Sequence, residues 1–519
     1  MNYKVLLAAG LLFAGAVQAQ DVVRGRVYND TNKNGVFDKM DSAVAHVSVS
    51  NGVQVVQTNS RGEYELPVTD DNIIFVVKPS GYALPVDADN HPQFYYLHKP
   101  KGSPVMLYPT SKPTGKLPKS LDFALYKQEE NPNFKAFIFG DPQTYTQEEL
   151  DFFNKGIVQD IKSTSGVRFG ISMGDLVGDD LSLHHPYKKL IGSLGLPWFN
   201  VMGNHDMNFD APTDTLSDET FELNFGPNNY AFNYGNAHFI VLDNILYPNP
   251  RTGKGYLGGF RKDQLDFVAN DLQFVPKDKL VILAFHIPLL HQNSDVFRNE
   301  DRQRLFDILA DYPNVMAISA HTHFQQQIFY DAKDGWKQAK PLHEYNVGTT
   351  SGDWYSGQVN ADGVPVSTMR DGTPKGYALL RVDNNRYAFD YKVAGAPESY
   401  QIKLVGPAVV KASTVRRYKV YANFFMGKAG DKVSYRINSG NWQEMEYVSL
   451  ADPQYMYELL KYDNAAQLIP GKRPSDPELS THLWQLNLPK LKSGIHTIEV
   501  QAVDMYGKQH QQSMTIEVL

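Results

Sequence analysis

Seven side chains able to hold a metal ion stand at, or just past, the ends of short apolar runs. Asp141 and Gln143 follow Ala136-Phe-Ile-Phe-Gly140, and Asp175 follows Phe169-Gly-Ile-Ser-Met-Gly174. Asn204 follows Trp198-Phe-Asn-Val-Met-Gly203, His286 follows Leu280-Val-Ile-Leu-Ala-Phe285, and His321 and His323 follow Val315-Met-Ala-Ile-Ser-Ala320. Carboxylate, amide and imidazole donors of this kind suit two divalent cations, and a carboxylate must bridge them if they are to lie close. Hydrolysing a phosphoric ester requires charge neutralisation on the phosphoryl oxygens, an activated water and a proton for the leaving group. Two cations about 3.5–4 Å apart supply the first two, drawing the pKa of a bridging water towards about 7. The recurrence therefore reads as a two-metal hydrolytic site, and nine of the fifteen histidines fall between residues 184 and 343 with it.

Apolar runs ending on polar ligands imply strands covered on both faces, with the site in the crevice at their carboxyl ends. Helical periodicity over residues 146–163, 264–274 and 302–309 supplies covering helices between the strands. Runs at 230–234, 237–242, 326–330, 377–382 and 387–393 suggest a second sheet. The expected fold is α/β, a four-layer α/β/β/α sandwich over residues 131–395, flanked by two β-sandwich domains at 20–128 and 397–519.

Asp141-Pro-Gln143, Met173-Gly-Asp175-Leu176, Gly203-Asn204-His205-Asp206, His286 and His321-Thr-His323 together resemble the signature of the calcineurin-like metallophosphoesterases, in order and spacing. The resemblance spans about residues 135–393. It implies that Asp175 bridges the metals. Asp141, Gln143 and His323 would complete the first site, and Asn204, His286 and His321 the second. His205 would stabilise the transition state or protonate the leaving oxygen, with Asp206 orienting it. The cofactors implied are two divalent metals drawn from Mn, Zn, Fe and Mg.

Two departures stand out. Many family members carry histidine where Gln143 stands; an amide oxygen is a poorer ligand, so the first metal would bind weakly or Gln143 would meet water or substrate instead. The purple acid phosphatase subgroup places a tyrosine three residues after the bridging aspartate, and here that position is Gly178. Further candidates for substrate contact are His184, His291, Trp354 and Tyr355. For His184, with its neighbour His185, a solvated loop is the equal alternative. Trp354 and Tyr355 lie in a Gly-rich loop resembling the family's site rim. His238 and Asp243 read as structural.

Between the first β-type runs lies Asp30-Thr-Asn32-Lys-Asn34-Gly-Val36-Phe-Asp38-Lys-Met-Asp41. Oxygen donors at loop positions 1, 3, 5, 9 and 12, the Val36 carbonyl at 7 and glycine at 6 match a calcium loop. A solvated Asn/Asp/Gly turn is the competing reading. The flanks read as strands, so it is no EF-hand. The segment resembles calcium-binding B-type repeats and prealbumin-like modules of bacterial surface proteins, which implies a spacer or docking role. The C-terminal domain shows no recognisable chemistry.

At 519 residues the chain exceeds one core, and a net charge of −7 argues against a nucleic-acid partner. Residues 1–19 read as a signal peptide with small residues Val17 and Ala19 before the cleavage point, and no later stretch reads as a transmembrane anchor. With no cysteine, disulfides and thiolate sites are excluded, and the expected location is the periplasm or exterior of a bacterium. The function expected is hydrolysis of a small phosphate mono- or diester by attack of a metal-bridging hydroxide, with His205 assisting. The competing reading is a catalytically silent surface-display or ligand-binding protein. Nothing in the sequence bears on oligomeric state.

Overall fold

The structure is a computed structural model that describes residues 21–161, 163–289 and 296–519. The proposed signal segment and His291 lie outside the described residues.

The central unit contains two sheets packed face to face. The first runs in the order Trp198–Val201, Val167–Met173, Asn133–Phe139, Gly376–Asp383, Arg386–Val393. Its first three strands are parallel and the last two antiparallel. The second has the order Tyr230–Tyr234, Ala237–Val241, Leu280–Ala284, Val315–Ser319, Leu342–Asn346, Gln326–Tyr330. Phe169 of the first sheet meets Phe232 and Phe239 of the second edge-on at 5.5 and 5.4 Å. Helices close the outer faces, as when Phe153 of helix Gln147–Gly156 meets Phe139 at 6.2 Å. Strands buried on both sides explain the continuous apolar runs.

Runs 377–382 and 387–393, grouped above with the second sheet, belong to the first. The chain returns beneath the Asn133–Phe139 strand, with Phe134 opposite Val382. Two helices had no apolar periodicity strong enough to show: His184–Gly192, which accommodates Pro186 in its first turn, and Glu219–Phe225.

Residues 21–127 form paired sheets built on Asp21–Asn29 and on Ser48–Ser50 with Asn72–Val76. They dock on the central unit through Lys99, buried against Glu219 and Glu222 at 2.7 and 2.8 Å. The Asp30–Asp41 loop lies between strands. Its carboxylates accept loop N–H groups: Asp30 from Asn34 and Gly35, Asp41 from Thr31 and Asp38.

Beyond residue 400, two further sheets and helix Pro453–Asp463 complete the chain. They are locked to the central unit by His482, whose Nε2 lies 2.9 Å from Asp371 Oδ2 and whose Nδ1 lies 2.8 Å from Asn423 Oδ1. Asn423 also donates to the Asp371 carbonyl and to Asp452. His482→Ala removes a partner of the buried Asp371 carboxylate and is expected to cost about 3 kcal/mol of stability. Urea unfolding followed by tryptophan fluorescence checks this; an unchanged midpoint would contradict it. Among the described residues, no helix is long and apolar enough to cross a membrane.

Candidate metal centre

All seven ligand candidates converge at the carboxyl ends of the two sheets. The loop after Asn133–Phe139 is stitched to the loop after Val167–Met173: Gln143 N–H donates to the Asp175 carbonyl at 2.7 Å and Gly178 N–H to the Thr144 carbonyl at 2.9 Å. Thr146 then caps the following helix, accepting from Glu149 N–H, while the Glu149 carboxylate accepts from Tyr145 N–H at 2.7 Å. This fixes the ligand loop between a strand end and a helix start. Asp141, Gln143, Asp175, His321 and His323 all have positive φ, at 31°, 38°, 47°, 72° and 56°. Such conformations cost about 1–3 kcal/mol each in non-glycine residues and gather where function demands them.

Two glycines make the convergence sterically feasible. A Cβ at Gly203 would lie 2.0 Å from Asp175 N, and one at Gly174, which has φ +94°, would lie 2.5 Å from His286 Nδ1.

Hydrogen bonds behind the site orient its imidazoles. His286 Nδ1 donates to the Met173 carbonyl at 2.8 Å, and His323 Nδ1 donates to the Gly352 carbonyl at 2.8 Å. Each Nε2 therefore faces inward. His286 Nε2 is 3.2 Å from Asp175 Oδ2, 3.2 Å from Asn204 Oδ1 and 3.2 Å from His321 Nδ1. One atom from each of Asp175, His286 and His321 lies within 4.8 Å of the others. His323 Nε2 is 3.2 Å from Asp141 Oδ2. Asp141 Oδ2 and Gln143 Oε1 are buried without a hydrogen-bond donor.

Lone pairs thus face one another in two places, around Asp141 and His323 and around Asp175 and His286. Positive charge is what such an arrangement takes up. Burial opposes a charge on His286, yet Asp175 beside it outweighs burial and carries its pKa up to about 9. Burial opposes the Asp175 carboxylate too, but His286, His205 and His321 hold its pKa well below the usual range. This donor set fits divalent cations.

Gln143 keeps its position in the set, with Nε2 on the Tyr145 hydroxyl at 3.2 Å and Oε1 left for a ligand role. Gln143→His replaces a neutral oxygen by imidazole and is expected to tighten the weaker metal about tenfold. A metal titration followed by calorimetry reads this, and identical affinity and stoichiometry in both proteins would contradict it.

His205 stands at the open side of the centre. Its N–H holds Asp175 Oδ1 at 2.9 Å and its Nδ1 lies 2.6 Å from Asp179 Oδ1. Burial works against its charge, but Asp175 and Asp179 together raise its pKa to about 9. Asp179 is thus the partner of the His205 imidazole. Asp206 is not, contrary to expectation: its carboxylate accepts N–H groups of Leu176, Val177 and Gly203, so it braces the two ligand loops. His184 is no substrate contact either; it is fully buried with Nε2 3.2 Å from Asp206 Oδ1. Tyr355 is also withdrawn, its buried hydroxyl donating to the Pro142 carbonyl.

Trp354 does line the cleft, stacked on His323 at 4.0 Å. His238 is structural as expected, paired with Asp271 at 2.7 Å, and Asp243 accepts from Ile245 N–H inside the core. Tyr145 went unnoticed in the sequence. Its ring fills the space into which a side chain at Gly178 would project, 2.6 Å from a Cβ there, and meets the His205 ring at 5.9 Å.

Comparison with protein families places this geometry. The profile described as calcineurin-like phosphoesterase matches residues 134–325, and those described as its N-terminal and C-terminal parts match 31–108 and 344–510. The chain belongs to the calcineurin-like phosphoesterases. Membership makes it a phosphoesterase and implies divalent metal ions as cofactors. No curated protein matches the chain. Among solved structures, it is similar to purple acid phosphatase PPD1 from yellow lupin seeds, with 14% identity over 72% of this chain and 73% of that one, TM-score 0.37. It is also similar to GAP50, the anchor in the inner membrane complex of Plasmodium, with 16% identity over 51% of this chain and 85% of that one, TM-score 0.33. Both likenesses are distant.

Proposed function

We propose that the chain is an exported hydrolase of small phosphate mono- or diesters that works with two divalent metals. The observation that carries this reading is the paired arrangement of inward-facing lone pairs, Asp141 with His323 and Asp175 with Asn204, His286 and His321, beside an open histidine. Asp141, Gln143, His323 and Asp175 would hold one metal, and Asp175, Asn204, His286 and His321 the other. When bound, two such cations neutralise phosphoryl oxygens and acidify water.

The protein's own residues do the rest. Asp179 fixes the His205 ring through Nδ1, leaving Nε2 to hold a proton for the departing oxygen. Asp206 and the Gly203 turn keep His205 at that position. The rim loop is tied to the first ligand, with Ser351 Oγ donating to the Asp141 carbonyl at 2.7 Å, so Trp354 holds one wall of the cleft in place.

Five ligand positions held in strained backbone weigh against a silent binding protein, which would gain nothing from that cost. Metal-stripped protein assayed on p-nitrophenyl phosphate and bis-p-nitrophenyl phosphate with added Mn, Zn, Fe or Mg is expected to regain hydrolysis of at least one. No restored activity on either ester would overturn the reading.

For the Asp30–Asp41 loop we infer a bound calcium, by the match of donor positions alone. A rise in melting temperature on calcium addition is expected, and an unchanged one would overturn it.

A further inference from the structure

The cleft over the metal centre encloses about 250 Å³, and two charged wall residues come from outside the five ligand-bearing motifs: Arg370 and Glu478. Glu478 belongs to the C-terminal domain. Its Oε1 lies 3.1 Å from Arg370 Nη1, and its N–H donates to the Arg370 carbonyl at 3.0 Å. Arg370 Nη2 donates at 3.2 Å to the carbonyl of Thr322, the residue between His321 and His323. Its Cζ lies 5.7 Å from the Trp354 ring centroid, and that ring stacks on His323. The Nε–H is buried with no acceptor. Of the five guanidinium donors, only part are engaged by protein acceptors.

The placement is costly unless an anion joins it. The buried Nε–H is left without an acceptor, and the partly exposed pair with Glu478 returns little stability. A phosphate or carboxylate entering the cleft reverses that balance, because guanidinium pairs with both through charge-assisted hydrogen bonds.

We propose that Arg370, positioned by Glu478 of the C-terminal domain, binds an oxyanion of the substrate and sets the enzyme's preference for anionic esters. This rests on the phosphoesterase reading. The oxyanion comes either from the reacting phosphate or from a second acidic group on the leaving group, and one substrate pair separates the two.

Phenyl phosphate and 4-carboxyphenyl phosphate are compared on metal-loaded parent, Arg370→Ala, Arg370→Lys and Glu478→Gln. Arg370→Ala is expected to raise KM about tenfold or more, with kcat within about threefold and metal content unchanged. Arg370→Lys is expected to recover part of the loss, and Glu478→Gln to change KM less than Arg370→Ala does. A rise on both esters assigns the contact to the reacting phosphate; a rise confined to the carboxylated ester assigns it to a second acidic group. Either supports the proposal. KM unchanged on both esters would overturn it, as would a parallel loss of kcat, metal content and melting temperature. If the parent hydrolyses neither ester with any metal, the phosphoesterase reading fails and this proposal with it.

Discussion

Asp175→Asn is expected to abolish metal-restored hydrolysis, lowering turnover by about a thousandfold or more while the protein stays folded. The substitution is nearly isosteric, and the amide oxygen can still accept from His205 N–H, which now meets Asp175 Oδ1 at 2.9 Å. What is lost is charge. His286 Nε2 sits 3.2 Å from the Asp175 carboxylate, and Asp175 is what carries His286 up to about 9. On the proposed two-metal reading, a neutral amide there would leave the two cations without a shared anion, and losing several kcal/mol of charge stabilisation corresponds to about three powers of ten in rate. Metal content should fall with activity. Elemental analysis beside a p-nitrophenyl phosphate assay reads both, with circular dichroism as the folding control. Parent-like turnover would contradict the assignment.

His205→Ala should behave differently. Its ring faces the cleft but supplies none of the inward-facing ligand atoms, so metal content should stay near that of the parent while turnover drops about 10²–10⁴-fold. Asp179→Asn is expected to lose part of that, since Asp179 holds His205 Nδ1 at 2.6 Å and helps keep the ring protonated. Equal loss of metal and activity in His205→Ala would show that the side chain belongs to the metal site instead.

These two substitutions also mark where sequence reasoning succeeded and where it stopped. Every ligand candidate lay at the end of an apolar run, and an apolar run covered on both faces ends where its strand leaves the sheet. Strand ends were therefore legible, and with them the residues that converge on the cleft. The partner of His205 was not. Asp206 is its neighbour in the chain, yet at this turn the Asp206 carboxylate points back to the Leu176 and Gly203 N–H groups. Asp179, which does the orienting, is 26 residues earlier in the chain. Its sequence signal is the Gly178-Asp179 pair repeating Gly174-Asp175 within the same loop, visible only once pairing of the loops is known.

The sheet order was misjudged for a related reason. Strands 376–383 and 386–393 have the same alternating pattern whichever sheet receives them, and their place beside Asn133–Phe139 is set by tertiary pairing. The outer wall of the cleft is wholly non-local as well. Trp354, Arg370 and Glu478 come from three separate stretches, and the segment carrying Glu478 reaches the rim because Gly357 N–H donates to the Lys472 carbonyl and Ser475 N–H to Asp353. No period or motif in residues 470–482 announces that contact.

The most direct test is to titrate manganese into stripped protein while following bound metal and p-nitrophenyl phosphate or bis-p-nitrophenyl phosphate hydrolysis together. A two-metal phosphoesterase predicts no activity in the stripped protein and turnover that rises until two equivalents are bound. Hydrolysis that ignores added metal, or two bound equivalents with no hydrolysis of either ester, would contradict it.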